Sequence, residues 1–307
     1  MDLLQKAGKY PPPPGTTDIL GPEAAGIVVS STLYKEGTPV ACLLPGGGYA
    51  EYVAADPALC FPIPSNLTIK EARAACIPEN WITAYQLLEE VARLSDFKAN
   101  GGKPSGIKHA LVYAAGSGVG VALLQLFRVF IPSVSVIAVA GSNEKLQRVK
   151  ELGAAVCLNY KELGDSLGDE VLKATGGQGV DIVLDCVGAS FVNQTLKSLK
   201  TDGTWVLYGC MGGHRANLSF GVLLQQRLRL LSSTLRSRSS LYLSSLVSRF
   251  KTEVVPLFQQ NKLKVIIDAE FSPEAAEEAH KRMQSNSNFG KVLILMDPQL
   301  ASLNPKP

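Results

Sequence analysis

The most chemically suggestive stretch of the sequence is a turn of small residues, AAGSGVG, at positions 114–120. A turn of this composition lets the backbone approach a pyrophosphate without side chains in the way, and a helix that starts inside it points unused N–H groups at the phosphate. Ala115, Ser117 and Gly120 take the spacing-critical positions, with Gly116, Gly118 and Val119 between them. Gly120 would permit close packing of helix on sheet. A glycine-rich turn alone is weak evidence. Here it follows the strand-like run HALVYAA and opens the helix-like run VGVALLQLF, the context a dinucleotide site requires.

The next strand-like run ends in AVAGSNEKLQ. An unmodified adenosine ribose is usually held there by Asp or Glu. This chain has Gly141 and Ser142, followed by Lys145. Positive charge and donors without a carboxylate suit a 2′-phosphate, so the expectation is NADPH rather than NADH. Glu144 is a complication, expected to lie along the helix surface. The plainer alternative is that Ser142 or Asn143 caps an exposed helix and Lys145 is solvated.

Regular elements must position these turns. From His109 onward, apolar strand-like runs (HALVYAA, VSVIAVA, AVCLNY, DIVLDCV, TWVLYG) alternate with helix-like ones (VGVALLQLFRVF, NEKLQRVKELG, LGDEVLKATGG, SFVNQTLKSL). That alternation predicts an α/β domain with a doubly wound parallel sheet covered on both faces. Gly153 is placed to end the helix that begins at Asn143. Before His109 the texture differs. Residues 1–8 read as a short helix, residues 11–14 as a proline loop, and GIVVSS, PVACLL and YAEYVAA as strands of a small antiparallel barrel or sandwich. Helices are predicted at 68–76 and across PENWITAYQLLEEVARL, where Thr83, Leu87 and Val91 share a face. Residues 95–108 read as a polar surface loop. After about Leu235 the pattern turns helical, then strand-like at VIIDAEF and KVLILM, so the boundary falls near residue 80 with a return near 235–240.

Composition narrows the function. The net charge of +3 argues against a dedicated nucleic-acid surface, and the 46% apolar share supports a sizeable core. The basic stretch RLRLLSSTLRSRS lacks interleaved aromatics; its alternation reads as a strand entering a homodimer interface. No apolar run reaches membrane-span length and residues 1–15 lack the apolar stretch of a secretory signal, so the expectation is a soluble cytoplasmic protein. The six cysteines form no C-x-x-C pair, and Cys42 and Cys186 read as core residues of a reducing compartment rather than redox centres. His109 reads as structural at a strand start, and His280 as solvated in a charged helix. Ser117 has no partnered base and reads as a turn residue, not a nucleophile.

With these residues in view, the chain resembles the zinc-independent quinone oxidoreductase family of the medium-chain dehydrogenase/reductase superfamily. The matching segments are GKYPPPPGTTDILGPEAAG, LLPGGGYAEYV, IPENWITAYQLL, GSGVGVALLQL, AGSNEKLQ, KELGAAVCLNY, IVLDCVG, GTWVLYGCMGG, TLRSR and NFGKVLI. The resemblance implies a Rossmann domain, residues 80–235, within a GroES-like catalytic domain made of residues 1–79 and 236–307. It implies that Tyr10 and Thr83 lie near the nicotinamide, with Tyr10 beside the substrate, and that Ser117, Gly118, Val119 and Gly120 form the pyrophosphate turn. It places Gly141, Ser142, Lys145 and Tyr160 at the 2′-phosphate and Cys186 and Val187 at the adenosine-side strand end. Tyr208, Gly209, Met211 and Leu235 would lie beside the nicotinamide, and Asn288 and Lys291 in a cofactor-side N-x-G-K element. Zinc-dependent relatives carry a G-H-E ligand turn; here it is Gly21-Pro22-Glu23, and proline cannot ligate. A phenol with an ordinary pKa near ten is a poor acid at neutral pH, so Tyr10 is expected to orient substrate. Family members begin roughly forty residues earlier, on the order of a third of a domain. Opening barrel strands and an Asn-Arg pair are therefore expected to be missing.

The activity implied is hydride transfer from NADPH to a quinone or related conjugated carbonyl. Reduction of an enoyl thioester, or NADPH binding without turnover because of the missing strands, are the alternatives.

Overall fold

The computed structural model describes residues 1–67, 77–94 and 106–296. The helix expected over 68–76, and the loop expected over 95–108 up to residue 105, lie outside the described residues. The chain divides into two compact units, Ala84–Thr234 and Met1–Thr83 with Leu235–Pro307.

The unit Ala84–Thr234 is built on a six-stranded sheet. Its strands are β4 (His109–Val112), β5 (Ser135–Ala140), β6 (Val156–Asn159), β7 (Val180–Asp185), β8 (Leu199–Leu207) and β9 (Arg229–Ser232). The order is β6-β5-β4-β7-β8-β9 and every pairing is parallel. The chain winds outward from β4 to one edge, then returns to β7 and winds to the other, so the reversal falls between β4 and β7. In such sheets ligands gather at the carboxyl ends of the strands at that reversal. Every residue of β7 is buried, as expected for a strand covered on both faces. The helix Gly118–Phe130 is buried from Gly120 to Phe127, which explains why its sequence is apolar all round. Asp181 ties the start of β4 to the sheet: its Oδ2 accepts from the backbone N–H groups of Lys108 and His109 at 2.8 Å each.

In the other unit, β1 (Glu23–Ile27), β2 (Pro39–Leu43) and β3 (Cys60–Pro62) form an antiparallel sheet in that order. A parallel pair, β10 (Ile267–Phe271) and β11 (Lys291–Ile294), stands separately. Helix Ser240–Glu253 supplies Leu246, Val247 and Phe250 to the core, where Phe250 meets Phe61 at 5.7 Å between ring centroids. Trp81 packs edge-on against Phe258 at 4.7 Å. A cavity of about 700 Å³ is lined by β1, Cys42, Cys60 and β11, among others.

Two expectations need correction. GIVVSS leaves the strand after Ile27, and YAEYVAA forms no strand, with Tyr52 77% exposed. Both have strand-like composition. A strand also needs a hydrogen-bonded neighbour, and among the described residues no strand pairs with 49–55. The helix from Pro78 is α-helical to Gln86 and widens into a π turn over Leu87–Val91. That change of pitch breaks the expected stripe: Leu87 is fully buried, Thr83 and Val91 only partly.

Candidate functional site

The glycine turn has the geometry its sequence promised. Ala114 takes a left-handed conformation, φ +47°, which is uncommon for a residue with a Cβ and marks a sharp bend. The Ala115 N–H donates to the Val139 carbonyl at 3.0 Å, anchoring the turn to β5. Ser117 caps the following helix, its Oγ accepting from the Gly120 N–H at 3.1 Å. Gly118 and Val119, in the first turn, have no intrahelical acceptor for their N–H groups and are only partly buried. A Cβ added at Gly120 would lie 2.5 Å from the Ala114 carbonyl oxygen. The glycine is therefore what lets helix and turn close together. Such a turn presents donors and positive dipole to an anion.

A second group forms where β5 ends. Gly141 faces the ring of Tyr160, and a Cβ there would come within 2.9 Å of Cε1. Tyr160 is held in turn by Phe191, edge-on at 5.4 Å. Ser142 caps the helix Asn143–Glu151 by accepting from the Lys145 N–H at 3.4 Å. The capping role foreseen as the plainer alternative is thus real, and it leaves the hydroxyl proton available to donate. No sequence signal pointed to Glu162. Its Oε1 accepts from Asn143 Nδ2 at 2.7 Å and Asn159 Nδ2 at 2.9 Å, so a carboxylate sits near this loop with amide donors directed onto it.

The third group joins two neighbouring strand ends. Asp185, the last residue of β7, is fully buried. Its Oδ1 accepts from the N–H groups of Val187 at 2.6 Å and Gly188 at 3.0 Å, and its Oδ2 from Trp205 Nε1 at 2.9 Å. Burial pushes its carboxyl above the usual range, against these hydrogen bonds. The turn after β8 is laced onto the same segment: Tyr208, Met211 and Gly212 N–H groups donate to the carbonyls of Asp185, Cys186 and Val187. Gly209 lies so close that a Cβ would meet the Cys186 carbonyl at 3.0 Å. Burial raises the Cys186 thiol to about 12, which keeps it neutral. Its neighbour is the Tyr208 hydroxyl, itself buried without a well-formed hydrogen bond. Met211 is exposed.

In the other unit, Tyr10 is half-buried with the Arg236 guanidinium 5.9 Å from its ring centroid. Arg236 is buried; it donates to the Pro45 carbonyl and to Gln5 Oε1, both at 2.7 Å. Burial raises the Tyr10 hydroxyl, nearby Glu79 raises it further, and Arg236 opposes. Burial and the neighbouring Glu23 push the Glu79 carboxyl up to about 7, against the pull of Lys291. Glu23 Oε2 accepts from the Glu79 backbone N–H at 2.8 Å, and its Oε1 forms an ion pair with Lys291. Asn288, buried beside Lys291, donates to the Gly290 carbonyl at 3.1 Å. Thr83 is partly buried and Leu235 is core. His280 corrects its expectation: it is 7% exposed, held between the Tyr49 hydroxyl at 3.2 Å and Lys6 Nζ at 3.4 Å. Its local sequence is charged, but these partners come from distant parts of the chain.

The family described as Zinc-binding dehydrogenase matches residues 118–260. The synaptic vesicle membrane protein VAT-1 homolog of Rattus norvegicus is 32% identical over 97% of this chain and 74% of its own length. The chain belongs to the medium-chain dehydrogenase/reductase superfamily, among its quinone oxidoreductase-like members. A probable quinone oxidoreductase of Schizosaccharomyces pombe is 29% identical over 98% of this chain and 86% of its own. The Escherichia coli quinone oxidoreductase complexed with NADPH shares the fold, with a TM-score of 0.81 at 24% identity over 96% of this chain and 87% of that one.

As a medium-chain dehydrogenase/reductase, the chain is an oxidoreductase whose Rossmann sheet carries the strand-end turns described above. Residues 21–23 read Gly21-Pro22-Glu23, and among the described residues no group of three or more His, Cys, Asp or Glu is arranged to hold a metal. Among those residues no helix is long and apolar enough to cross a membrane. Sequence reasoning missed Asp185, Glu79, Arg236 and Glu162. Asp185 could have been found as the carboxylate that ends an apolar strand, and Glu79 as an acid in the first turn of a helix. Arg236 and Glu162 carried no such signal.

Proposed function

We propose that this oxidoreductase uses NADPH, without zinc, to reduce a quinone or a related conjugated carbonyl. The observation that carries the reading is the end of β5. Gly141 lies close against the Tyr160 ring, Ser142 keeps a donor, Lys145 brings charge, and no acidic residue stands at the strand end itself. Glu162 faces the loop, but its Oε1 is already taken by two amides. The backbone cradle at 117–120 suits a pyrophosphate, since Gly120 leaves no room for a side chain and Gly118 and Val119 offer N–H groups.

When bound, NADPH supplies the hydride, and a proton from solvent completes reduction of the carbonyl to the hydroxyl. This chain's residues bind and orient. Ser117 fixes the first turn of its helix. Asp185 holds the N–H groups of Val187 and Gly188 in place, and the backbone lacing from 208–212 keeps that edge rigid. Tyr10, raised by burial, keeps its proton at neutral pH and donates a hydrogen bond to the substrate oxygen rather than giving up the proton. The exposed edge strand β9 suits pairing with a second copy, and a cytoplasmic setting fits the free thiols.

The test is a titration of purified protein with NADPH and NADH, followed by turnover on a panel of quinones, enones and enoyl thioesters. Lys145→Ala is expected to weaken NADPH by about 1.5–3 kcal/mol, the worth of a charge-assisted contact, and NADH far less. Equal losses, or tighter NADH binding by the wild type, overturn the cofactor assignment. Turnover confined to enoyl thioesters overturns the substrate class.

A further inference from the structure

Cys42 and Cys60 are register partners across β2 and β3. Facing residues of an antiparallel pair have Cα atoms about 4.5–5.5 Å apart, inside the roughly 4.4–6.8 Å span a disulfide bridges. Both are free thiols, and both line the solvent-connected cavity of about 700 Å³ while remaining otherwise buried. They pack with Leu44 as a small cluster covered by Ala24, Tyr34 and Ala55. Cys42 Sγ lies 3.5 Å from the Ala24 carbonyl, and Cys60 Sγ 3.3 Å from the Asp56 carbonyl. The Tyr34 hydroxyl, donating to the Cys60 carbonyl at 2.7 Å, fixes the backbone of β3.

The two sulfurs are electrostatically unequal. A hydrogen bond from Cys42 lowers the Cys60 thiol, against burial and Asp56. The same bond, with burial, raises Cys42 well above its ordinary value. The two thiols influence each other's ionisation as facing neighbours, which suits attack by one and resolution by the other.

We propose that Cys42 and Cys60 are a redox-active dithiol, oxidised to a cross-strand disulfide by a small hydroperoxide that enters the cavity. The Cys60 thiolate attacks the peroxide oxygen and breaks the O–O bond. It becomes a sulfenic acid and releases the alcohol, or water from hydrogen peroxide. The Cys42 sulfur then attacks the Cys60 sulfur, and the hydroxyl leaves as water with the Cys42 proton. In sum, two thiols and one hydroperoxide give one disulfide, one alcohol and one water, with two electrons passing to the peroxide. A small dithiol reverses the oxidation. The bond would tie β2 to β3 at the cavity wall and close the segment 43–59 into a loop. The proposal does not depend on the quinone reading.

The reduced, desalted protein is treated with a few equivalents of hydrogen peroxide and mapped by peptide mass spectrometry without reduction. The expected result is an intact mass lower by about 2 Da, a peptide containing Cys42 linked to one containing Cys60, and recovery with dithiothreitol. In Cys42→Ser, dimedone should trap a sulfenic acid at Cys60. Oxidation confined to Cys157, Cys186 or Cys210, or over-oxidation of Cys60 in the wild type without a link to Cys42, overturns the proposal. The wild-type map decides even where the variant fails to fold.

Discussion

In the unit Ala84–Thr234 the candidate groups are backbone at strand ends. In the unit of Met1–Thr83 and Leu235–Pro307 they are charged and phenolic side chains gathered from distant parts of the chain. The first kind depends on space. Gly120, Gly141 and Gly209 each stand where one more carbon would meet a carbonyl or a ring. The second kind depends on balance: Glu23 and Lys291 are paired, and Glu79 and Tyr10 each feel charges carried by other elements. Adding atoms should break the one, and removing a charge should break the other.

The largest effect is expected from Lys291→Met. It leaves Glu23, with its side chain 6% exposed, without its partner, and breaking a buried pair costs about 3–5 kcal/mol. Denaturant unfolding should show that loss, with most of it recovered in the double variant Glu23→Gln/Lys291→Met. A loss under about 1 kcal/mol would place the pair with surface ion pairs and remove the contrast. Next is Gly141→Ala in the other unit, where the methyl would meet the Tyr160 ring at 2.9 Å. Overpacking of this kind costs about 1–3 kcal/mol. Fluorescence titration should show NADPH affinity falling as Tyr160 is displaced, and unchanged affinity would mean that the Tyr160 face plays no part in binding.

The smallest effect is a slope. Glu79 rises from the ordinary 4.5 to about 7 in the folded chain. Between those values the folded form holds a proton that the unfolded form has released. The stability this group contributes is present at low pH and is lost as pH rises through that window. Glu79→Gln should flatten the profile, gaining on the wild type by about 1.4 kcal/mol or more between pH 5 and pH 8. Parallel profiles for the two proteins would show that Glu79 does not titrate there.

The same contrast governs what could be read from the sequence. The turn at 114–120 was legible because strand, turn and helix are consecutive, and the near-continuous apolar runs that became β4, β5 and β7 could pack only in a doubly covered sheet. Ser142 was legible as a helix cap, since a cap is recognised from its neighbours. Residues 49–55 were misread because composition reports a preference for strand while pairing supplies it. His280, Arg236 and the Glu79–Glu23–Lys291 cluster were beyond reach, because each is defined by partners far away along the chain. Cys42 was read correctly as buried, and only the β2–β3 register revealed that it faces Cys60.

The chain has two tryptophans, and the fold allots one to each unit. Trp81 lies edge-on to Phe258, and Trp205 donates its indole N–H to Asp185, the residue that holds the Val187–Gly188 turn. The protein therefore carries a separate built-in fluorophore for each half. Trp81→Phe leaves an emission that reports on the strand-end turn, and Trp205→Phe leaves one that reports on the aromatic core around Phe258. Recording both through a denaturant titration would show directly whether the two units melt as one or in sequence.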